Sequence, residues 1–158
     1  KVRIDRYDTW SADHTLALII LPLLKQLKED KNGAPLVADE DVPDNLKAAS
    51  ATPLTEEQKN VAATDEFWFK RYEYILDEII FAFEHIVDSQ WEEKFMTGEI
   101  DHAFKEIPND ADPTKKLFEM VEGPKHTLKI DHEGIKKVKD RITNGLRLFG
   151  KYYQSLWT

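Results

Sequence analysis

The segment DEFWFKRYEYILDEIIFAFEHI, residues 65–86, constrains the fold more than any other part of the chain. At about 100° per residue, Trp68, Tyr72, Ile75, Ile79, Phe83 and Ile86 fall on one broad apolar face. Phe67, Tyr74 and Phe81, seven residues apart, make a second and narrower stripe. A helix apolar on two sides needs neighbours on both, so this segment predicts a central helix over about 65–96, ending near Gly98.

Two further segments can supply those neighbours. From about residue 8 to 31, Leu16, Ile20, Leu23, Leu24 and Leu27 share a face. Asp8, Thr9 and Ser11 are N-cap residues in waiting, and Asn32-Gly33 reads as the C-terminal stop. Pro22 deprives the Leu18 carbonyl of its partner and predicts a kink, while Leu18 and Leu21 on the opposite side predict cover on two sides. From about 133 to 156, Ile135, Val138, Ile142, Leu146, Phe149, Tyr153 and Leu156 form a stripe, with Gly145 at its edge for the close approach of another helix.

Between the helices, residues 33–63 carry Pro35, Pro43 and Pro53 and read as an irregular surface connection. A short helix is expected near Asp44–Ala49, and Thr55-Glu56-Glu57-Gln58 has capping-box spacing for another. Residues 99–114 read as a loop. LFEMVE and HTLKID, joined by Gly-Pro-Lys, read as a β-hairpin over about 117–131, with VRI at 2–4 as a further strand. The expected fold is mainly α with a minor α+β element: one domain over 1–158, a bundle of three long helices, a small hairpin and long irregular connections.

Composition narrows the function classes. The chain of 158 residues contains no cysteine, which removes disulfides, thiolate metal sites and thiol nucleophiles, and makes the cytoplasm the default compartment. A net charge of −8 disfavours nucleic acid and anionic membrane as partners. The most apolar run, LALIILPLL at 16–24, is far shorter than the roughly 20 residues of a membrane span and contains a proline. No G-x-S-x-G or Gly-rich phosphate loop is present, and His14, His85, His102, His126 and His132 form no pair at a metal-ligand spacing on one element.

The polar ridges of the central helix are the nearest approach to a chemical motif. Lys70, Glu73, Asp77, Glu84 and Asp88 lie on one, and Arg71, Glu78 and His85 on another. Asp77, Glu84 and Asp88 could jointly hold Mg²⁺ or Mn²⁺, the arrangement an all-helical nucleotide pyrophosphohydrolase would need. The two acidic pairs at three-residue spacing that such enzymes place on successive helices are missing. The plainer expectation is that these charges sit on solvated ridges. On the last helix Asp140, Asn144, Arg147 and Lys151 line up, so Arg147 and Lys151 are anion-binding candidates. The same ridge would serve equally to pair Arg147 with Asp77 or Glu84. Asn144 and Asp13 are the candidate buried polar residues; Asp13 falls on the apolar side of the first helix, and its plainer role is that of a first-turn acid serving the helix N-terminus.

The stretches RIDRYDTWSADHTLALIILPLLKQLK, DEIIFAFEHI and NGLRLFGKYYQSLW together resemble small proteins of marine tailed bacteriophages, cyanophages among them. The resemblance implies a phage gene product acting in an infected bacterial cell, in its cytoplasm or in the virion, and supplies no catalytic residues. The expectation is a non-enzymatic accessory or structural protein that contacts another protein, with no cofactor and with homo-oligomerisation left open. Its four tryptophans and the paired Tyr152 and Tyr153 suit such contacts.

Overall fold

The computed structural model describes residues 3–112 and 114–157. They are mostly helical, with a small antiparallel β component. The elements in chain order are α1 (Ala12–Asp30), α2 (Glu56–Asn60), α3 (Trp68–Val87), β1 (Met96–Thr97), β2 (His102–Ile107), β3 (Leu117–Glu122), β4 (Lys129–Ile130) and α4 (His132–Tyr152). Short 3-10 turns fall at Arg6–Thr9, Asp39–Asp41, Asp44–Leu46, Ala48–Ser50, Trp91–Phe95 and Tyr153–Ser155. Among the described residues no helix is long and apolar enough to cross a membrane. The chain divides into two compact units, Lys1–Ser89 with Lys137–Thr158, and Gln90–Lys136.

The first unit is built on α3, whose Tyr72, Ile75, Leu76 and Ile79 are fully buried. α1 packs along one side through Ala17, Ile20, Leu21 and Leu24, and runs through Pro22 as one helix. α4 packs on another side, where Leu148 and Tyr152 are buried and Phe149 meets Phe83 edge-on at 5.0 Å between ring centroids. A Cβ on Gly145 would lie 2.4 Å from the Glu78 carbonyl oxygen and 2.6 Å from the Ala82 Cβ. The close approach expected at this glycine is therefore present, and it is made onto α3.

The buried stripes coincide in part with those the sequence predicts: Leu24 and Ile135 are buried, and Ile20, Leu27, Phe149 and Leu156 pack against the core. Leu148 and Tyr152 of α4 are buried outside the predicted stripe, whereas Leu146, and Tyr153 in the turn after the helix, are exposed within it. On α1, Leu16, Leu18 and Leu23 are exposed while Leu21 packs against the core, so of the opposite side expected to be covered at Leu18 and Leu21 only Leu21 is. Asn32-Gly33 is not a left-handed cap: α1 ends with Lys31 in an extended conformation, and Gly33 instead makes room for the Trp157 ring, 3.0 Å from where its Cβ would be.

The connection after α1 is part of the core rather than a surface strap. Val37 and Val42 are buried, and Ala34 and Leu46 pack against the same cluster. Hydrophobic periodicity misses them because 3-10 turns with prolines between them keep no single period. The capping box at Thr55 forms, with Gln58 N–H donating to Thr55 Oγ1 and Thr55 N–H to Gln58 Oε1.

The second unit corrects the expected hairpin. Leu117–Glu122 is a strand, but it pairs antiparallel with His102–Ile107, inside the segment expected to be a loop, in the register His102↔Glu122 to Ile107↔Leu117. Only Lys129–Ile130 of HTLKID is a strand, and it pairs with Met96–Thr97. Just after β1 this arrangement requires Gly98, whose φ of 93° and a Thr127 carbonyl oxygen 2.2 Å from a built Cβ admit no side chain. Gly-Pro-Lys is thus part of a longer return. Arg3 and Ile4 are not in a strand, and Val2 lies outside the described residues.

Candidate functional site

The acidic ridge of α3 faces the C-terminal half of α1. Lys25 pairs with Glu84 at 2.6 Å, Lys28 with Asp77, and Lys31 with Glu73 at 3.0 Å. The order of these pairs shows α1 and α3 running antiparallel. Three lysines at three-residue spacing opposite three carboxylates were visible in sequence, and their complementarity was the signal for this contact. Asp88 is the residue that caps the C-terminus of α3, its N–H donating to the Glu84 carbonyl at 2.9 Å. Asp77 and Glu84 are therefore occupied by lysines. Among the described residues no group of three or more His, Asp or Glu side chains is gathered in a way that could hold a metal ion.

The second ridge of α3 is not solvated as expected. Arg71 is buried, its Nε donating to the Leu46 carbonyl at 2.6 Å and its Nη1 to Asp65 Oδ2 at 2.9 Å. Glu78 is buried too, with a side chain 8 % exposed, and accepts from Arg141 Nε and Nη2 at 2.7–3.1 Å. The Arg141 guanidinium also lies 3.7 Å from the centroid of the Phe81 ring, and Phe81 stacks on His85. The second apolar stripe of α3 is thus covered partly by a cation. Glu78, by hydrogen bonding, holds the Arg141 pKa above its usual value against the effect of burial.

Arg147 and Lys151 do meet carboxylates, but not those of α3. They converge on Asp41, whose side chain is 0 % exposed. Arg147 Nη2 donates to Asp41 Oδ1 at 2.8 Å, and Tyr152 Oη donates to Oδ2 at 2.7 Å. Lys151 Nζ lies 2.5 Å from Asp41 Oδ2 and 2.9 Å from Glu40 Oε1. Ala38 N–H donates to Tyr152 Oη, and half-buried Asn144 accepts from Arg147 through Oδ1. Burial opposes the charge on Asp41, yet hydrogen bonds from Lys151, Tyr152 and Arg147 outweigh it and hold the carboxyl below its ordinary range. Two cations facing two carboxylates leave no surplus for an outside anion, so this cluster clamps the 38–42 turn onto α4. Nothing in the periodicity of VADEDVP marks Asp41 as buried.

What remains open in the first unit is apolar. Leu16, Ile20, Leu23 and Leu27 of α1 form one wall of a groove of about 730 Å³. Phe149, Tyr153 and Trp157, from the end of α4 and beyond it, form the other. Leu16 is 54 % exposed, Leu23 64 %, Tyr153 64 % and Trp157 50 %. Asp13 is exposed in the first turn of α1, where an acid suits the helix N-terminus, and is not the buried residue its angular position suggested. Gln26 and Asp30, hydrogen-bonded to each other at 2.5 Å, stand at the far rim. Comparison of the chain with protein-family models, with curated proteins and with solved structures gives no match.

Proposed function

We propose that this is a non-enzymatic accessory or structural protein that acts by contact with another protein, in the cytoplasm of an infected bacterial cell or in a virion, as the resemblance to phage proteins implies. The observation that carries the reading is the groove between α1 and the end of α4, where leucines and aromatic rings stand exposed together rather than singly. Scattered exposed leucines are ordinary; a contiguous lined groove is the form in which soluble proteins hold a partner. The polar clusters support the same reading from the other side, since their charges are matched internally and are not converged on an empty cleft.

A photoreactive residue placed at Leu23 or Tyr153 should give one discrete cross-linked species in the host cell. The same residue at Val61, equally exposed in the first unit but outside the groove, should give none. Equal labelling from all three positions, or none from the groove, would remove the reading.

A further inference from the structure

We propose that the groove takes an amphipathic α-helix of another protein, about five turns long, apolar along one face and carrying lysine or arginine at both ends of that face. This rests on the contact function above and specifies its partner. Positions 13, 16, 20, 23, 27 and 30 of α1 are separated alternately by three and four residues, the a/d spacing of a coiled-coil seam. The four inner positions are Leu16, Ile20, Leu23 and Leu27, and the two outer ones are Asp13 and Asp30. Leu16 and Leu23 of the seam are exposed, Ile20 and Leu27 are half-buried with one side against the core, and all four line the groove together with Asp30. Asp13 is exposed one turn before Leu16, just beyond that lining. From Asp13 to Asp30 it is about 26 Å long at 1.5 Å per residue. The opposite wall is aromatic, so a helix laid in the groove is gripped on two sides, as in helix-in-groove recognition.

Charge decides among the occupants. In a second copy of the chain, parallel pairing of α1 would set Asp13 against Asp13 and Asp30 against Asp30. Antiparallel pairing would set Asp13 against Asp30. Both orientations bring like charges together at both ends, on a chain already at −8. An anionic lipid surface meets the same two carboxylates. An extended strand finds little to pair with, because α1 is helical and on the other wall, at the end of α4 and just beyond it, the Leu156 and Trp157 N–H groups are already bonded to the Tyr153 and Ser155 carbonyls. A helix with basic ends satisfies both carboxylates and the apolar seam at once, and the charges fix its register.

The test uses the full chain and two fluorescein-labelled 18-residue peptides with leucine at the a and d positions, one ending in lysines and the other in glutamates. Anisotropy, with the chain's tryptophan emission, to which Trp157 contributes, as a second readout, should show the lysine-ended peptide binding roughly tenfold tighter at low salt, the difference shrinking toward unity by about 0.5 M salt. Asp13→Asn combined with Asp30→Asn should remove the discrimination while keeping binding. Leu23→Asp, at an exposed position that should not disturb folding, should abolish binding of both. Equal affinity for the two peptides overturns the proposal and leaves the contact function standing. So does a chain that sediments as a dimer and becomes monomeric on Leu23→Asp, which would make the occupant a second copy. If neither peptide binds while the cross-link at Leu23 forms in cells, the helix inference falls alone; if the cross-link is absent too, both fall.

Discussion

Replacing Asp41 by Asn should lower stability by about 2 kcal/mol, and the structure sets that magnitude. Both carboxylate oxygens accept: Oδ1 from Arg147, Oδ2 from Tyr152 and Lys151. An amide has one acceptor and must turn its NH₂ toward donors on one side, so one charge-assisted hydrogen bond is lost, a loss of roughly 1.5–3 kcal/mol. The upper bound is not reached because Arg147 is half exposed and can turn to water. In a chain of 158 residues this corresponds to roughly 4–8 °C in Tm. The pH dependence follows from the depressed pKa of Asp41. A carboxyl whose folded pKa lies below its unfolded value of about 3.9 contributes stability that is present above pH ~4 and lost as pH falls through the folded value. Urea unfolding followed by far-UV circular dichroism at pH 7, 5 and 3 would therefore show the gap between wild type and Asp41→Asn constant from pH 7 to 5 and narrower at pH 3. A gap under about 0.5 kcal/mol at pH 7, or one equally large at pH 3, would refute the clamp.

Arg141→Ala should cost roughly 3 kcal/mol because it strands the buried Glu78 carboxylate, whereas Glu78→Gln leaves a half-exposed guanidinium and should cost only about 1 kcal/mol; chemical denaturation giving the opposite order would be wrong for this geometry. Gly145→Ala gains about 1 kcal/mol in helix propensity but drives a methyl into the Glu78 carbonyl and Ala82, so the net effect on Tm should be a decrease; a rise would mean that α3 and α4 can separate freely. Gly98→Ala should speed amide exchange at Met96, Thr97, Lys129 and Ile130, because a side chain there meets both a left-handed φ and the Thr127 carbonyl; unchanged exchange would show the turn to be adaptable.

The long helices were legible because α3 and α4 carry strong 3.6-residue periodicity, and Gly145 betrayed the contact between them by its cost in a helix interior. What failed was everything that depends on a neighbour. Glu78 and Arg71 look like ridge residues from their angle alone, and become buried only because Arg141, Asp65 and the Leu46 carbonyl come from elsewhere to meet them. Asp41 is invisible for the same reason: its partners Arg147, Lys151 and Tyr152 lie more than 100 residues away. The expected pairing of Arg147 with a buried carboxylate was right in kind and wrong in partner. Strand pairing failed more simply, since LFEMVE has a neighbour at each end and sequence proximity favoured HTLKID over the true partner, HAFKEI.

Asp13 ties the electrostatics of the first unit to its open face. Lys25 and Lys28 of α1, and Lys31 just after it, are committed to the α3 carboxylates, so the side of α1 turned away from α3 carries no matching positive charge along its seam. An acid on an apolar stripe is costly only where that stripe is buried against the chain's own core. At Asp13 the stripe opens to solvent, so the acid is tolerated in the monomer and becomes selective only when something apolar is laid over it. A partner that covers Leu16 and Leu23 without a cation at either end would have to desolvate Asp13 and Asp30 with nothing in return. Asp13, which looks misplaced on a helical wheel, and Asp30 at the other end of the seam are therefore the residues that can reject the wrong partner.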